Sequence, residues 1–120
     1  MKLKDSLSDY VLSDGQIISL KVNLDYQKRS KSSAIVGLMV RKPTEKNLFE
    51  KCKIELQFEQ VREVTINDDL GSDYYSDITL LKLDNGLYYL SLDPFGNTGQ
   101  PHEKDNFVII SKALVVEEKE

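Results

Sequence analysis

The chain has 120 residues, of which 40% are hydrophobic and 30% charged, a balance typical of one folded domain over residues 1–120. Its formal net charge of −4 argues against a nucleic-acid-binding function, because phosphates are attracted to basic surfaces. No apolar run approaches the roughly 20 residues of a membrane span, and the first residues lack the apolar stretch of a secretory signal. We therefore expect a cytoplasmic protein that contacts no membrane.

Two strands are predicted in the first third of the chain. Residues Ile18 to Tyr26 alternate between apolar and polar with a period of two, which is typical of a strand with one buried face. The side chains expected on that face are Ile18, Leu20, Val22, Leu24 and Tyr26. The segment from Ala34 to Val40 is apolar on both faces, so we expect it to lie centrally in the sheet.

Helix is scarce, and only two segments are predicted to form a turn or two of it. These are Asp5 to Leu12, and Pro43 to Lys51 with Thr44 as the N-cap.

The clearest strand runs from Lys51 to Glu59. Its alternation predicts one buried face, formed by Cys52, Ile54, Leu56 and Phe58. Beyond it, the spacing of Phe58, Val61 and Val64 changes to three. This change predicts a bulge or one helical turn before the strand resumes.

A tight hairpin is predicted around Asn85-Gly86, since this pair readily adopts the positive φ angles of a two-residue type I′ turn. That turn would pair three residues with three others: Leu83 with Tyr88, Leu81 with Leu90, and Thr79 with Leu92.

The last predicted strand runs from Phe107 to Val116, with a possible site for a bulge at Ser111-Lys112. About seven strands in consecutive antiparallel pairs predict a mainly β fold, either an antiparallel sandwich or an open barrel.

The scarce residues argue against catalysis. Cys52 is the only cysteine and His102 the only histidine, so a zinc site with nitrogen or sulfur ligands is excluded. Cys52 lies on the apolar face of its predicted strand, where a thiol usually serves as packing. We therefore expect no enzyme activity, no bound metal and no cofactor.

An acidic loop from Asn67 to Asp77 is the first candidate site. It contains four carboxylates and two adjacent tyrosines within 11 residues: Asp68, Asp69, Asp73, Tyr74, Tyr75 and Asp77. Clustered carboxylates could hold calcium, although the spacing does not match a helix–loop–helix calcium loop. Since consecutive strand residues face opposite ways, one of the two tyrosines is expected to be exposed, and tyrosine is favoured at protein contacts.

The second candidate is the loop from Asp93 to Asp105, which is longer than most hairpin connections. Its aromatic residue, Phe95, stands between turn-forming residues. Phe95 either pins the loop to the core or is offered to a partner.

Three stretches resemble a loose group of small bacterial β-proteins, some of them assigned as immunity proteins of polymorphic toxin systems. The stretches are residues 13–20, 54–61 and 77–80, the last of them directly after the acidic loop. The resemblance implies a small β-domain that binds a protein, and it assigns no role to any single residue.

These features predict a non-catalytic interaction protein whose acidic loop binds a basic protein partner. The residues expected at the contact are Asp68, Asp69, Asp73, Tyr74, Tyr75, Asp77 and Phe95. The alternative is a small-ligand or calcium-binding β-module that uses the two loops. The predicted assembly is a monomer or a homodimer formed through an edge strand.

Overall fold

A computed structural model describes residues 10–66, 73–96 and 98–119 of the chain. Its strands are β1 (Val11–Asn23), β2 (Ser33–Pro43), β3 (Phe49–Thr65), β4 (Tyr74–Tyr75), β5 (Thr79–Lys82), β6 (Tyr88–Asp93) and β7 (Asn106–Lys119). The only helical element among the described residues is a 3-10 turn at Arg29–Lys31. The predicted mainly β fold of about seven antiparallel strands is confirmed. None of the described segments forms a helix long and apolar enough to cross a membrane.

All seven strands belong to one antiparallel sheet with the order β4-β1-β2-β3-β7-β6-β5. Its two edge strands, β4 and β5, are consecutive in the chain. In a flat sheet with strands about 4.8 Å apart they would be separated by about 29 Å. The four residue steps from Tyr75 to Thr79 can span at most about 14 Å. The sheet must therefore curl, and it forms a half-barrel, which agrees with the open-barrel alternative.

The core lies on the concave side of this sheet. The predicted face of β3 is confirmed, because Ile54, Leu56 and Phe58 are at most 1% exposed and Cys52 is half-buried against them. Strand β2 lies between β1 and β3, as its apolar sequence predicted.

The prediction for β1 is partly wrong. Of the five side chains expected inside, Ile18 is 40% exposed, and Leu24 and Tyr26 follow the end of the strand and are exposed. The pairing of β1 with β2 is irregular between Ile17 and Ser19. A bulge adds one residue and reverses which side chains face the core, so Ile17 and Leu20 pack inward. Val22 is 38% exposed near the strand end.

The predicted register of the β5–β6 hairpin is wrong by one residue. Leu81 pairs with Tyr89 and Leu80 with Leu90. The Leu83 amide also donates to the Leu87 carbonyl at 2.7 Å, which leaves a connection of three residues, 84–86. The Gly86 amide donates to the Leu83 carbonyl at 2.9 Å, and only Gly86 in this turn has a positive φ, of 88°. A type I′ turn needs positive φ at both central residues, so this turn instead combines a type I turn with a left-handed glycine.

The β2–β3 connection repeats this geometry, and the helical turns predicted from Pro43 to Lys51 are absent from it. The Asn47 amide donates to the Thr44 carbonyl at 3.3 Å, and the Thr44 amide donates to the Leu48 carbonyl at 2.7 Å. Asn47, with φ of 60°, takes the position that Gly86 has in the other turn. Of the other segment predicted as helix, residues 5–9 lie outside the described residues, and Val11 onwards is strand.

Gly86 and Asn47 hold the positive-φ position of their turns, and substituting them should therefore change the stability of the two turns differently. We expect Gly86→Ala to lower the free energy of unfolding by about 1 kcal/mol, because alanine is strained at positive φ. A Cβ at Gly86 meets nothing within 4 Å, so backbone strain alone would cause this loss. Asn47→Gly should be neutral or slightly stabilising. Urea denaturation of both variants tests the assignment, and a stabilising Gly86→Ala would contradict it.

The break predicted between Phe58 and Val64 is confirmed as a bulge. The pairing of β3 with β7 shifts between Val61 and Glu63, and Gln60 has a φ of 52°. The other predicted bulge position, Ser111-Lys112 in β7, lies directly opposite this bulge of β3, since Ser111 pairs with Val61. The extra residue therefore belongs to β3 and not to β7.

Candidate functional site

The structure separates the roles of the two adjacent tyrosines of the acidic loop. Tyr74 and Tyr75 form the short strand β4, which pairs with Gly15 and Gln16 of β1. Consecutive strand residues face opposite sides, and accordingly Tyr74 is 68% exposed whereas Tyr75 is 7% exposed. Asp68 and Asp69 of the same predicted site lie outside the described residues.

The two candidate loops meet between β4 and the end of β6. They enclose a depression of about 320 Å³, which we call the mouth. Its lining residues are Ile17, Tyr74, Tyr75, Ser76, Asp77, Leu92, Asp93 and Pro94. Asp77 comes from the acidic loop and Asp93 from the start of the second loop. None of these lining residues is basic, so the mouth is acidic with an exposed aromatic at its side.

Backbone pairing with β1 fixes the acidic side of the mouth. The Ile17 amide donates to the Asp73 carbonyl at 2.6 Å, and the Asp14 amide donates to the Ser76 carbonyl at 3.0 Å. These bonds extend the pairing of β4 with β1 at both of its ends. The carboxylate of Asp73 also accepts a hydrogen bond of 2.6 Å from Gln16 Nε2. The position of Tyr74 is therefore set by the sheet and not by a flexible loop.

Each mouth carboxylate accepts a hydrogen bond from another described residue through one of its two oxygen atoms. Asp77 Oδ1 accepts a 2.9 Å bond from the amide of Ile78, which orients the side chain at the start of the turn towards β5. Asp93 Oδ2 accepts a 3.4 Å bond from Asn106 Nδ2. The carboxylate of Asp93 is exposed and that of Asp77 is half-buried. Two like charges at one opening favour a cationic group between them.

Tyr75 supports the mouth from inside. Its ring packs in the core cluster, and its hydroxyl is the one buried polar side-chain atom among the described residues that has no hydrogen-bond partner. Burial raises the pKa of this hydroxyl, and the negative charge of Asp14 raises it further. Of the two tyrosines that were predicted to contact a partner, only Tyr74 is therefore exposed.

The second loop is held by Asp105, a residue that the sequence analysis did not single out. Asp105 is 2% exposed, and its carboxylate accepts three hydrogen bonds. Tyr89 Oη donates to Oδ2 at 2.5 Å, the His102 amide donates to Oδ2 at 3.0 Å, and the Phe95 amide donates to Oδ1 at 2.7 Å. Burial alone would raise the pKa of Asp105, but these three bonds outweigh it and the pKa lies below its ordinary value.

The structure holds Phe95 within its loop, but its ring does not belong to the core cluster. Its amide is fixed by Asp105, and its ring contacts that of His102 with centroids 4.5 Å apart. Lys104 Nζ lies 5.2 Å from the centre of the Phe95 ring, and yet the side chain remains 51% exposed. Phe95 is thus a held aromatic, next in the chain to Pro94 of the mouth.

The structure adds little support for the two other kinds of site that the sequence raised, a metal site and a reactive thiol at Cys52. Among the described residues, no group of three or more His, Cys, Asp or Glu side chains is placed to hold a metal ion. Cys52 packs half-buried against the core, and burial raises the pKa of its thiol. A thiol with a raised pKa is a poor nucleophile at neutral pH.

Comparison with known proteins finds no matching family model, no similar curated protein and no similar solved structure. The function is therefore argued from the mouth itself.

Proposed function

We propose that this chain is a non-catalytic protein-interaction domain that binds a basic protein partner at the mouth. The observation that carries the proposal is the meeting of two separate acidic segments beside an exposed tyrosine. Asp77 and Asp93 line one depression, and Tyr74 at its side is 68% exposed. The exposed face of Phe95 extends the surface along the second loop.

Charge and shape suggest what the partner presents. A lysine or arginine that enters the mouth would approach two carboxylates, and such complementarity speeds association and selects the partner. Tyr74 supplies a rigid aromatic surface that loses little conformational entropy on binding, as is common at the centre of protein contacts. Asp73 adds a third negative charge beside the mouth, held by Gln16.

The partner class follows from this surface. A basic protein, such as a nuclease toxin in the cytoplasm, has the required charge, and the resemblance to immunity proteins points the same way. The net charge of −4 disfavours nucleic acid as the ligand. Inhibition by such a protein requires occupation of the toxin surface and no chemistry by the inhibitor.

The test is a comparison of two exposed aspartates. The partner is first isolated on the immobilised protein at low salt, and its association rate is then measured by stopped flow. Asp93→Lys should slow association by about tenfold at low ionic strength, because it reverses one of the mouth charges. The difference should shrink at high salt, where the charges are screened.

The matched control is Asp84→Lys, which makes the same charge change in the exposed β5–β6 turn, outside the mouth. Its association rate should remain near that of the unaltered protein. Tyr74→Ala should act on dissociation instead, with an increase of about tenfold or more. Equal rates for the two aspartate variants would refute the mouth as the contact surface.

A further inference from the structure

Strand β7 is paired on one side along almost its whole length but on the other side along only half of it. Its pairing with β3 reaches Lys119, whereas its pairing with β6 ends where Ser111 meets Tyr88. From Lys112 to Lys119, no strand of the described chain pairs with the edge that faces away from β3. Unpaired backbone donors and acceptors along such an edge are a template for another strand.

The centre of this edge is apolar. It consists of Ala113, Leu114, Val115 and Val116, and neither proline nor glycine interrupts it. Leu114 and Val116 are half-buried against the core on the concave side, and Val115 is 53% exposed on the opposite side. Charged residues flank the centre at both ends, with Lys112 before it and Glu117 and Glu118 after it.

We propose that two copies of this chain pair their β7 strands antiparallel about a two-fold axis and so join two half-barrels into one continuous sheet. This association is independent of the proposed function at the mouth.

Symmetry restricts the register. If the axis is perpendicular to the sheet, the concave faces of the two copies lie on the same side of the joined sheet. Each residue of one copy must then pair with a residue of the other copy that lies on the same face of β7. The pairing is then centred on a single residue, and three centres are available: Leu114, Val115 or Val116.

Only one centre matches both the length of the edge and its chemistry. A centre at Leu114 would soon reach Ser111, whose edge is already occupied by β6. A centre at Val116 would set Leu114 against Glu118 of the second copy, an apolar side chain against a carboxylate. A centre at Val115 sets valine against valine on one face and Leu114 against Val116 on the other. The only apolar side chain that it places opposite a carboxylate is the small Ala113, which faces Glu117.

The same register places opposite charges together at both ends of the contact. Lys112 of each copy comes next to Glu118 of the other. Within one chain, Glu118 Oε1 already accepts bonds from Tyr10 Oη at 2.8 Å and from Lys42 Nζ at 3.2 Å. An incoming lysine adds a second cation to a carboxylate that is still 39% exposed. The edge is therefore complementary to itself.

Analytical ultracentrifugation of the purified chain tests the proposal without any other partner. A single strand pair buries little area, so the dimer should depend on concentration. The apparent mass should rise from 13.7 kDa towards twice that value between micromolar and millimolar protein. Val115→Lys should abolish this rise, because it sets two ammonium groups against each other at the axis.

Ile18→Lys is the matched control, since it adds the same charge at an exposed aliphatic residue of another strand. It should leave the rise in mass unchanged, and thermal melting of dilute samples should show that both variants fold. Dimerisation that survives Val115→Lys would overturn the proposal, as would a monomer at every concentration.

Amide hydrogen exchange gives a second readout that needs no variant. Exchange of the amides between residues 112 and 118 that point away from β3 should slow as the protein concentration rises, whereas exchange of the amides of residues 108–111 should not change. Slow exchange of these outward-pointing amides in dilute monomer would also overturn the proposal, because the edge would then already be covered within one chain.

Discussion

Asp105→Asn is expected to lower the free energy of unfolding by about 3 kcal/mol. The carboxylate accepts bonds from Tyr89 Oη, the Phe95 amide and the His102 amide. An asparagine has one oxygen acceptor, and its amide nitrogen can only donate. Whichever way the amide is oriented, its NH₂ group faces at least one of these donors, and that donor loses its partner at a site that is 2% exposed.

Urea denaturation measures this loss, and two variants calibrate it. Tyr89→Phe removes one of the three bonds and should cost about 1–2 kcal/mol. Asp84→Asn makes the same chemical change as Asp105→Asn in an exposed turn and should cost almost nothing. If Asp105→Asn were as harmless as Asp84→Asn, the carboxylate would not be what holds the second loop.

The stability effect should also depend on pH. The pKa of Asp105 in the folded chain lies below its ordinary value of 3.8, so the unfolded chain takes up the proton first as the pH falls. The stabilisation is therefore complete above about pH 5 and is lost as the pH falls through the folded pKa. The difference in stability between the unaltered chain and Asp105→Asn should shrink on acidification. A constant difference down to about pH 2.5 would contradict this assignment.

The Asp105 carboxylate, which holds the second loop, links the stability of the fold to the geometry of the mouth. Asp105 holds Phe95, and Phe95 follows Pro94, which lines the mouth together with Asp93. The second loop would therefore become less ordered in Asp105→Asn, and exchange of the Phe95 and His102 amides should become faster than in Asp84→Asn.

Local periodicity identified most of the strands of this chain, but it missed β4 and the first half of β1, and it did not give all of the registers. The buried face of β3 was predictable because Ile54, Leu56 and Phe58 alternate with polar residues. The β5–β6 register was not, because β6 is buried on both faces: Tyr89, Leu90, Ser91 and Leu92 are each at most 6% exposed. With no polar face to define the inside, an Asn-Gly turn is compatible with either of two adjacent registers.

The candidate site, too, was predictable from the sequence only in part. The rule that adjacent strand residues face opposite sides predicted one exposed tyrosine in the acidic loop. It could not say which one, since that depends on the fit of Tyr75 over Gly15, 60 residues earlier in the chain. Asp105 was missed for a similar reason. Its partners Tyr89 and Phe95 are 16 and 10 residues away, and nothing in a polar loop sequence shows that one carboxylate is buried.

Gly15→Ala is expected to lower the free energy of unfolding by about 2–3 kcal/mol and to disturb the mouth. A Cβ on Gly15 would lie 2.5 Å from Tyr75 Oη, 2.8 Å from Tyr75 Cζ and 2.9 Å from the backbone oxygen of Met39. The ring is held in the core and the carbonyl belongs to the neighbouring strand β2. Neither can move without displacing the strand that carries it.

Gly37→Ala in β2 provides the matched comparison. Its Cβ would lie 2.7 Å from Ser19 Oγ, but every other atom is at least 3.7 Å away. A serine hydroxyl can rotate to another rotamer, so we expect a loss below about 1 kcal/mol. Denaturant midpoints of the two variants test this contrast, and equal losses would mean that crowding by Tyr75 is not what requires glycine at position 15.

The Gly15 variant also bears on the proposed function, since the fit of Tyr75 over Gly15 positions β4. The short strand β4 contains only Tyr74 and Tyr75, so a displaced Tyr75 ring must also move Tyr74 relative to Asp77 and Asp93. Gly15→Ala should therefore weaken partner binding even at temperatures where the variant is fully folded, whereas Gly37→Ala should not. Unchanged binding in folded Gly15→Ala would mean that the contact does not depend on Tyr74.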